Sequence, residues 1–150
     1  MKNLKRNISL VLFSLSILSS CNSDEEDVKV TSADLLEIRA AIETGEWAIT
    51  YFLNNDENKT AIFEDFQFSF NAENYLVATN GADSLEGEWT LGSSNNPDDD
   101  HVHVDFDFDA SVNFEAISKE WDVTKYNSNK IEMFGSNSSG TRDFLTLVKL

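Results

Sequence analysis

From residue 45 to the carboxyl end, bulky apolar and polar side chains trade places every second residue, the period of a strand with one dry and one wet face. Trp47, Ile49 and Tyr51 alternate with Ala48, Thr50 and Phe52, and Phe66, Phe68 and Phe70 with Gln67 and Ser69. Tyr75, Val77 and Thr79 follow, and then Leu85, Trp89 and Leu91 interleave with Glu86, Glu88 and Thr90. Beyond a turn-rich loop at 92–100 that holds Pro97, Val102, Val104, Phe106 and Phe108 point one way. His101, His103, Asp105, Asp107 and Asp109 point the other. Trp121 with Val123, Ile131 with Met133, and residues 144–148 complete the series. Eight short strands with turn signals between neighbours predict an all-β fold, an eight-stranded antiparallel up-and-down barrel closed on itself. Trp47, Tyr51, Phe66, Phe68, Phe70, Tyr75, Trp89, Phe106, Phe108 and Trp121 are the expected inward positions.

Two segments break the rhythm. Residues 31–45 carry a helical period, with Leu35, Ile38 and Ile42 on one face, Thr31 as N-cap, Asp34 completing a capping box and Gly45 as the stop. The spacing predicts a short amphipathic N-terminal helix lying over the barrel as a lid, and residues 113–118 predict a helical turn. Upstream, Lys2, Lys5 and Arg6 precede an apolar run from Ile8 to Leu18, the layout of an export signal. That run falls short of the roughly 20 apolar residues a membrane helix needs. The chain therefore divides into a signal peptide at 1–20, a short tether at 21–31 and one barrel domain at 32–150.

The leader ends in Leu18-Ser19-Ser20-Cys21, which resembles the lipobox of bacterial lipoproteins. That resemblance implies that Cys21, the one cysteine present, is lipidated and tethers the mature chain to a membrane. The following Asn22-Ser23-Asp24-Glu25-Glu26-Asp27 reads as a hydrated linker, and is similar to the acidic export tag of surface lipoproteins in the Bacteroidota. The implied location is the outer membrane, lipid-anchored and exposed at the cell surface.

Charge narrows the partners. Without the three basic residues of the leader, 8 Lys and Arg remain against 27 acids, a net charge of −19. Such a field repels nucleic acid and favours cationic proteins or ions, while mutual repulsion suits a monomer.

Candidate chemistry is sparse. His101 and His103 share a strand face, so both imidazoles can approach one ion with Asp105 as a third ligand. The polar face of any half-buried strand accounts for the same residues, and no further ligand is marked by spacing, so the sequence calls for no metal or other cofactor. Asp105, Asp107 and Asp109 lack the Gly and Glu of a calcium loop, since Ala110 and Ala116 stand there. Glu86 and Glu88 share a strand face but read as a charged outer wall. No nucleophile–base order and no glycine-rich phosphate loop is present, so no enzyme is expected.

Gly45-Glu46-Trp47 at the start of the first strand resembles the Gly-x-Trp opening motif of lipocalins, and Gly87-Glu88-Trp89 repeats it. Together with Ala78-Thr79-Asn80-Gly81, Asn113-Phe114-Glu115, Trp121-Asp122-Val123 and Asp143-Phe144-Leu145-Thr146-Leu147, the order is similar to lipocalin-like lipoproteins of the Bacteroidota. The resemblance implies a small barrel and a basic residue on the last strand over the first Trp, for which Lys149 is the candidate. It also implies a non-catalytic envelope lipoprotein that binds a small apolar ligand, contacted by Trp47, Phe68, Phe106 and Trp121. The alternative is an acidic interaction module for a cationic protein, with a packed barrel and no internal ligand.

Overall fold

The computed structural model describes residues 29–94, 96, 98–109, 112–137 and 140–150. A 3-10 turn, Ser32–Asp34, runs into helix α1, Leu35–Ile42. The strands are β1 (Trp47–Asn54), β2 (Glu57–Asn58), β3 (Gln67–Phe70), β4 (Tyr75–Thr79), β5 (Ser84–Ser93), β6 (Val102–Phe108), β7 (Glu120–Asn127), β8 (Lys130–Ser136) and β9 (Arg142–Lys149). A second 3-10 turn, Thr60–Phe63, precedes β3, and the short helix α2, Val112–Glu115, precedes β7.

Apart from the short β2, each strand pairs antiparallel with the next in chain order, and β1 closes the ring against β9 from Trp47↔Lys149 to Leu53↔Phe144. β2 only extends β1 through the Asn55-Asp56 turn, so eight strands form the closed antiparallel barrel expected from the sequence. Both turn residues have positive φ, as a two-residue hairpin turn of matching twist requires. Closure removes the sheet edges that an open sheet would leave to be covered.

The alternation holds in most strands, but two of the expected inward positions face outward. Tyr51 is 39% exposed and Phe52 is buried, because a register shift between Ile49 and Tyr51 reverses the faces of β1 beyond it. Tyr75 is 54% exposed, because Leu76 and Ala78, not the bulkier Tyr75, face inward on β4. Phe66, another expected inward position, precedes β3 and is half-buried against Phe114, with ring centres 5.1 Å apart.

α1 covers one end of the barrel with Ile38 and Ile42 fully buried and Leu35 packed beside them. Its start is held by the Thr31 amide, which donates to the Asp34 carboxylate at 2.8 Å. That bond first, and the Tyr126 hydroxyl after it, hold the Asp34 carboxyl below its ordinary value despite some burial. Gly45 stops the helix at φ +76°, a conformation that costs a non-glycine residue about 1–2 kcal/mol. Lys149 then ties the last strand to the helix end, its ammonium donating to the Ala41 carbonyl at 3.1 Å and the Thr44 hydroxyl at 2.9 Å. Among the described residues no helix is long and apolar enough to cross a membrane.

Candidate functional site

Trp47, Phe68, Phe106 and Trp121, expected to contact an apolar ligand, all point into the barrel and are buried. Each has another ring or a backbone carbonyl as a partner. Phe68 lies 6.4 Å from Phe108, Phe106 lies 5.6 Å from Phe70, and Trp121 lies 6.3 Å from Phe52, centre to centre. The indole N–H of Trp47 donates to the Ile42 carbonyl at 3.0 Å, that of Trp121 to Ile117 at 2.9 Å and that of Trp89 to Asn71 at 3.0 Å. Each tryptophan is thus satisfied by backbone and anchors a turn or helix over the barrel. The Lys149 ammonium sits 4.9 Å from the centre of the Trp47 ring, the arrangement the resemblance implied.

The end opposite α1 is closed by rings outside the strands. Phe63, from the second 3-10 turn, and Phe114, from α2, meet edge to face at 5.3 Å. Phe114 also stands 4.8 Å from Phe108 and 6.2 Å from Phe68. Neither Phe63 nor Phe114 belongs to the two-residue rhythm, which is why strand reading alone does not assign them to the interior.

Charge gathers on one outer wall. Between residues 60 and 118 the chain has 13 acids and no Lys or Arg. Register sets two like-charged pairs directly opposite each other, Glu88↔Asp107 across β5 and β6 and Asp105↔Glu120 across β6 and β7. Opposed like charges on a sheet face destabilise it, so this wall carries a negative potential that a cation relieves.

Of the candidate metal ligands, the structure brings together His103 and Asp105 and adds Glu120, with one donor atom from each within 4.8 Å of the others. His101 is directed elsewhere. Its Nδ1 lies 2.9 Å from the Asp99 carbonyl oxygen and its Nε2 3.2 Å from Asp122. Glu120 is invisible to strand spacing, because only the β6–β7 register delivers it. A half-open groove of about 690 Å³ lies beside this cluster, lined by Lys29, Val30, His101, Asp122, Lys125 and Phe134 among others.

A second polar cluster ties the end of β1, the residue before β7 and the residue after β8 to β9. The fully buried Asp143 carboxylate accepts from Asn54 Nδ2 at 3.0 Å, the Asn55 amide at 2.8 Å, Asn137 Nδ2 at 3.2 Å and the Lys119 ammonium. Burial pushes its carboxyl up, but the bonds from Lys119 and Asn55 outweigh burial and hold it below the ordinary value. Cys21, the expected lipidation site, lies outside the described residues.

These features define a small, closed β-barrel with aromatic rings packed against one another inside it and a charged outer wall. No family model matches the chain, and no curated protein does. One similar solved structure is a DUF4847 family protein from Bacteroides vulgatus, 15% identical, with 74% of this chain and 96% of that chain covered at a TM-score of 0.47. A likeness at that level assigns neither ligand nor activity.

Proposed function

We propose that this chain is a non-catalytic envelope lipoprotein whose barrel acts through its outside, the acidic wall of β5, β6 and β7 capturing a cationic protein segment. The observation that carries this reading is the pair of like-charged registers, Glu88↔Asp107 and Asp105↔Glu120, on a wall whose strands β5 and β6 contain no Lys or Arg. Electrostatic complementarity of this kind speeds encounter and selects the sign of the partner. The expected ligand contacts Trp47, Phe68, Phe106 and Trp121 support a packed interior, since each has another ring or a backbone carbonyl as a partner. In this reading the lipid on Cys21 holds the domain at the outer surface as a monomer, and the acidic linker from Asn22 to Asp27 sets it off from the bilayer.

The test is binding of a Lys-rich peptide to the purified full chain across a salt series. Glu88→Gln with Asp107→Asn is expected to weaken binding at least tenfold and flatten its salt dependence, while Glu57→Gln with Glu132→Gln, on other strands, leaves both unchanged. Equal weakening by the two pairs reduces the effect to net charge and defeats the proposal. Saturable change of tryptophan emission with a fatty acid restores the internal-ligand reading in its place. Protease shaving of intact cells is expected to remove the domain, and complete protection overturns the surface location.

A further inference from the structure

The cluster on β6 and β7 carries an inference independent of any protein partner. We propose that His103, Asp105 and Glu120 form a binding site for one divalent transition-metal ion of the zinc class on the outer barrel face. Strand alternation puts His103 and Asp105 side by side, and the register Asp105↔Glu120 sets the third donor across from them. Their donor atoms already lie within 4.8 Å of one another. Ligands about 2.0–2.2 Å from a tetrahedral ion stand about 3.3–3.6 Å apart, and the exposed Glu120 carboxylate is the donor free to swing in and close that gap.

Two neighbours orient the donors. Gly92 lies under the His103 ring, where a side-chain carbon would come within 2.5 Å of Nε2 and 3.0 Å of Cε1. The imidazole occupies the space that the missing side chain leaves. Thr90 Oγ1 donates to Asp105 at 3.0 Å, an outer-shell bond that fixes a carboxylate in the manner of ligand-supporting residues.

A separate observation points to a ligand. His103 Nδ1 is buried and finds no hydrogen-bond partner among the described residues. An imidazole seated by Gly92 with an idle buried nitrogen, beside two carboxylates that repel each other, has its polar needs met by a cation. Lys119, next to Glu120 in sequence, does not serve, because its ammonium pairs with Asp143. One imidazole with two carboxylates suits a borderline ion with water completing the shell, whereas calcium and magnesium prefer oxygen alone. His101 is not a ligand in this arrangement, its ring centre lying 6.0 Å from that of His103 and its nitrogens directed to Asp99 and Asp122.

The experiment is calorimetric titration of Zn(II) alone into the purified, untagged full chain in mild detergent, all variants carrying Cys21→Ser so that no thiolate contributes. One saturable site is expected. His103→Gln is expected to weaken it at least tenfold, Glu120→Gln likewise, and His101→Gln less than twofold. Circular dichroism confirms folding of each variant, and the two independent ligand changes keep the result readable if one fails to fold. Absence of saturable heat overturns the site, as does His101→Gln weakening binding as much as His103→Gln, or all variants binding alike as a diffuse acidic field. Binding of the Lys-rich peptide by His103→Gln separates loss of the metal site from loss of the partner-binding wall.

Discussion

Asp143→Ala removes the one fully buried charge of the described barrel and leaves its donors facing a methyl group. Those donors are Lys119 Nζ, Asn54 Nδ2, Asn137 Nδ2 and the Asn55 amide. Breaking a buried ion pair by deleting one partner costs about 3–5 kcal/mol. The Lys119 side chain keeps 21% of its surface in solvent and turns outward when released. The expected loss is therefore at the lower end, about 3 kcal/mol, or a fall of about 10 °C in Tm for a domain of this size. Urea unfolding followed by tryptophan emission measures it, since all three tryptophans are buried.

The sign of the pH dependence follows from the lowered Asp143 carboxyl. Its contribution is complete above the unfolded-state value of about 3.9 and is lost as pH falls through the lower folded-state value. The gap between wild type and Asp143→Ala is thus expected to stay level from about pH 7 to pH 5 and to narrow below about pH 4. A gap under about 1 kcal/mol at pH 7, or one that stays level down to about pH 2, refutes the assignment of Asp143 as a buried, paired carboxylate.

Two further changes probe the packing. Phe114→Ala, which removes the ring that joins Phe63, Phe68 and Phe108, is expected to cost about 3–5 kcal/mol in the same urea assay, whereas Tyr75→Ser on the outer face stays within about 0.5 kcal/mol. Equal costs would mean that the faces of β4 and the α2 plug are misassigned. Lys149→Met keeps the apolar stem but loses the ammonium over Trp47 and its bonds to Ala41 and Thr44, for an expected cost of about 1–2 kcal/mol and a shift in Trp47 emission. No change in either readout removes Lys149 as the tie between β9 and the end of α1.

The strands were legible because a half-buried sheet forces a period of two onto any sequence that forms it, and residues 102–108 show it in full, Val102, Val104, Phe106 and Phe108 all facing inward. The helix was legible from Thr31, Asp34, Ile38 and Ile42 for the same kind of reason. What failed was parity where no local composition marks it. The register shift after Ile49 moves Phe52 inside and Tyr51 out without any glycine or proline to announce it, and on β4 the smaller Leu76 and Ala78 outrank Tyr75 for the interior. The outer cluster was half legible, His103 and Asp105 from spacing, but Glu120 only from the pairing of β6 with β7. Pairing across strands is set by the closed ring as a whole, so no window of sequence contains it. Whether such a barrel is hollow is harder still to read, because the volume that decides it comes from elsewhere. Phe63 and Phe114 sit in short helical segments between strands, and these two rings close on Phe52, Phe68 and Phe108 from positions that no strand period marks.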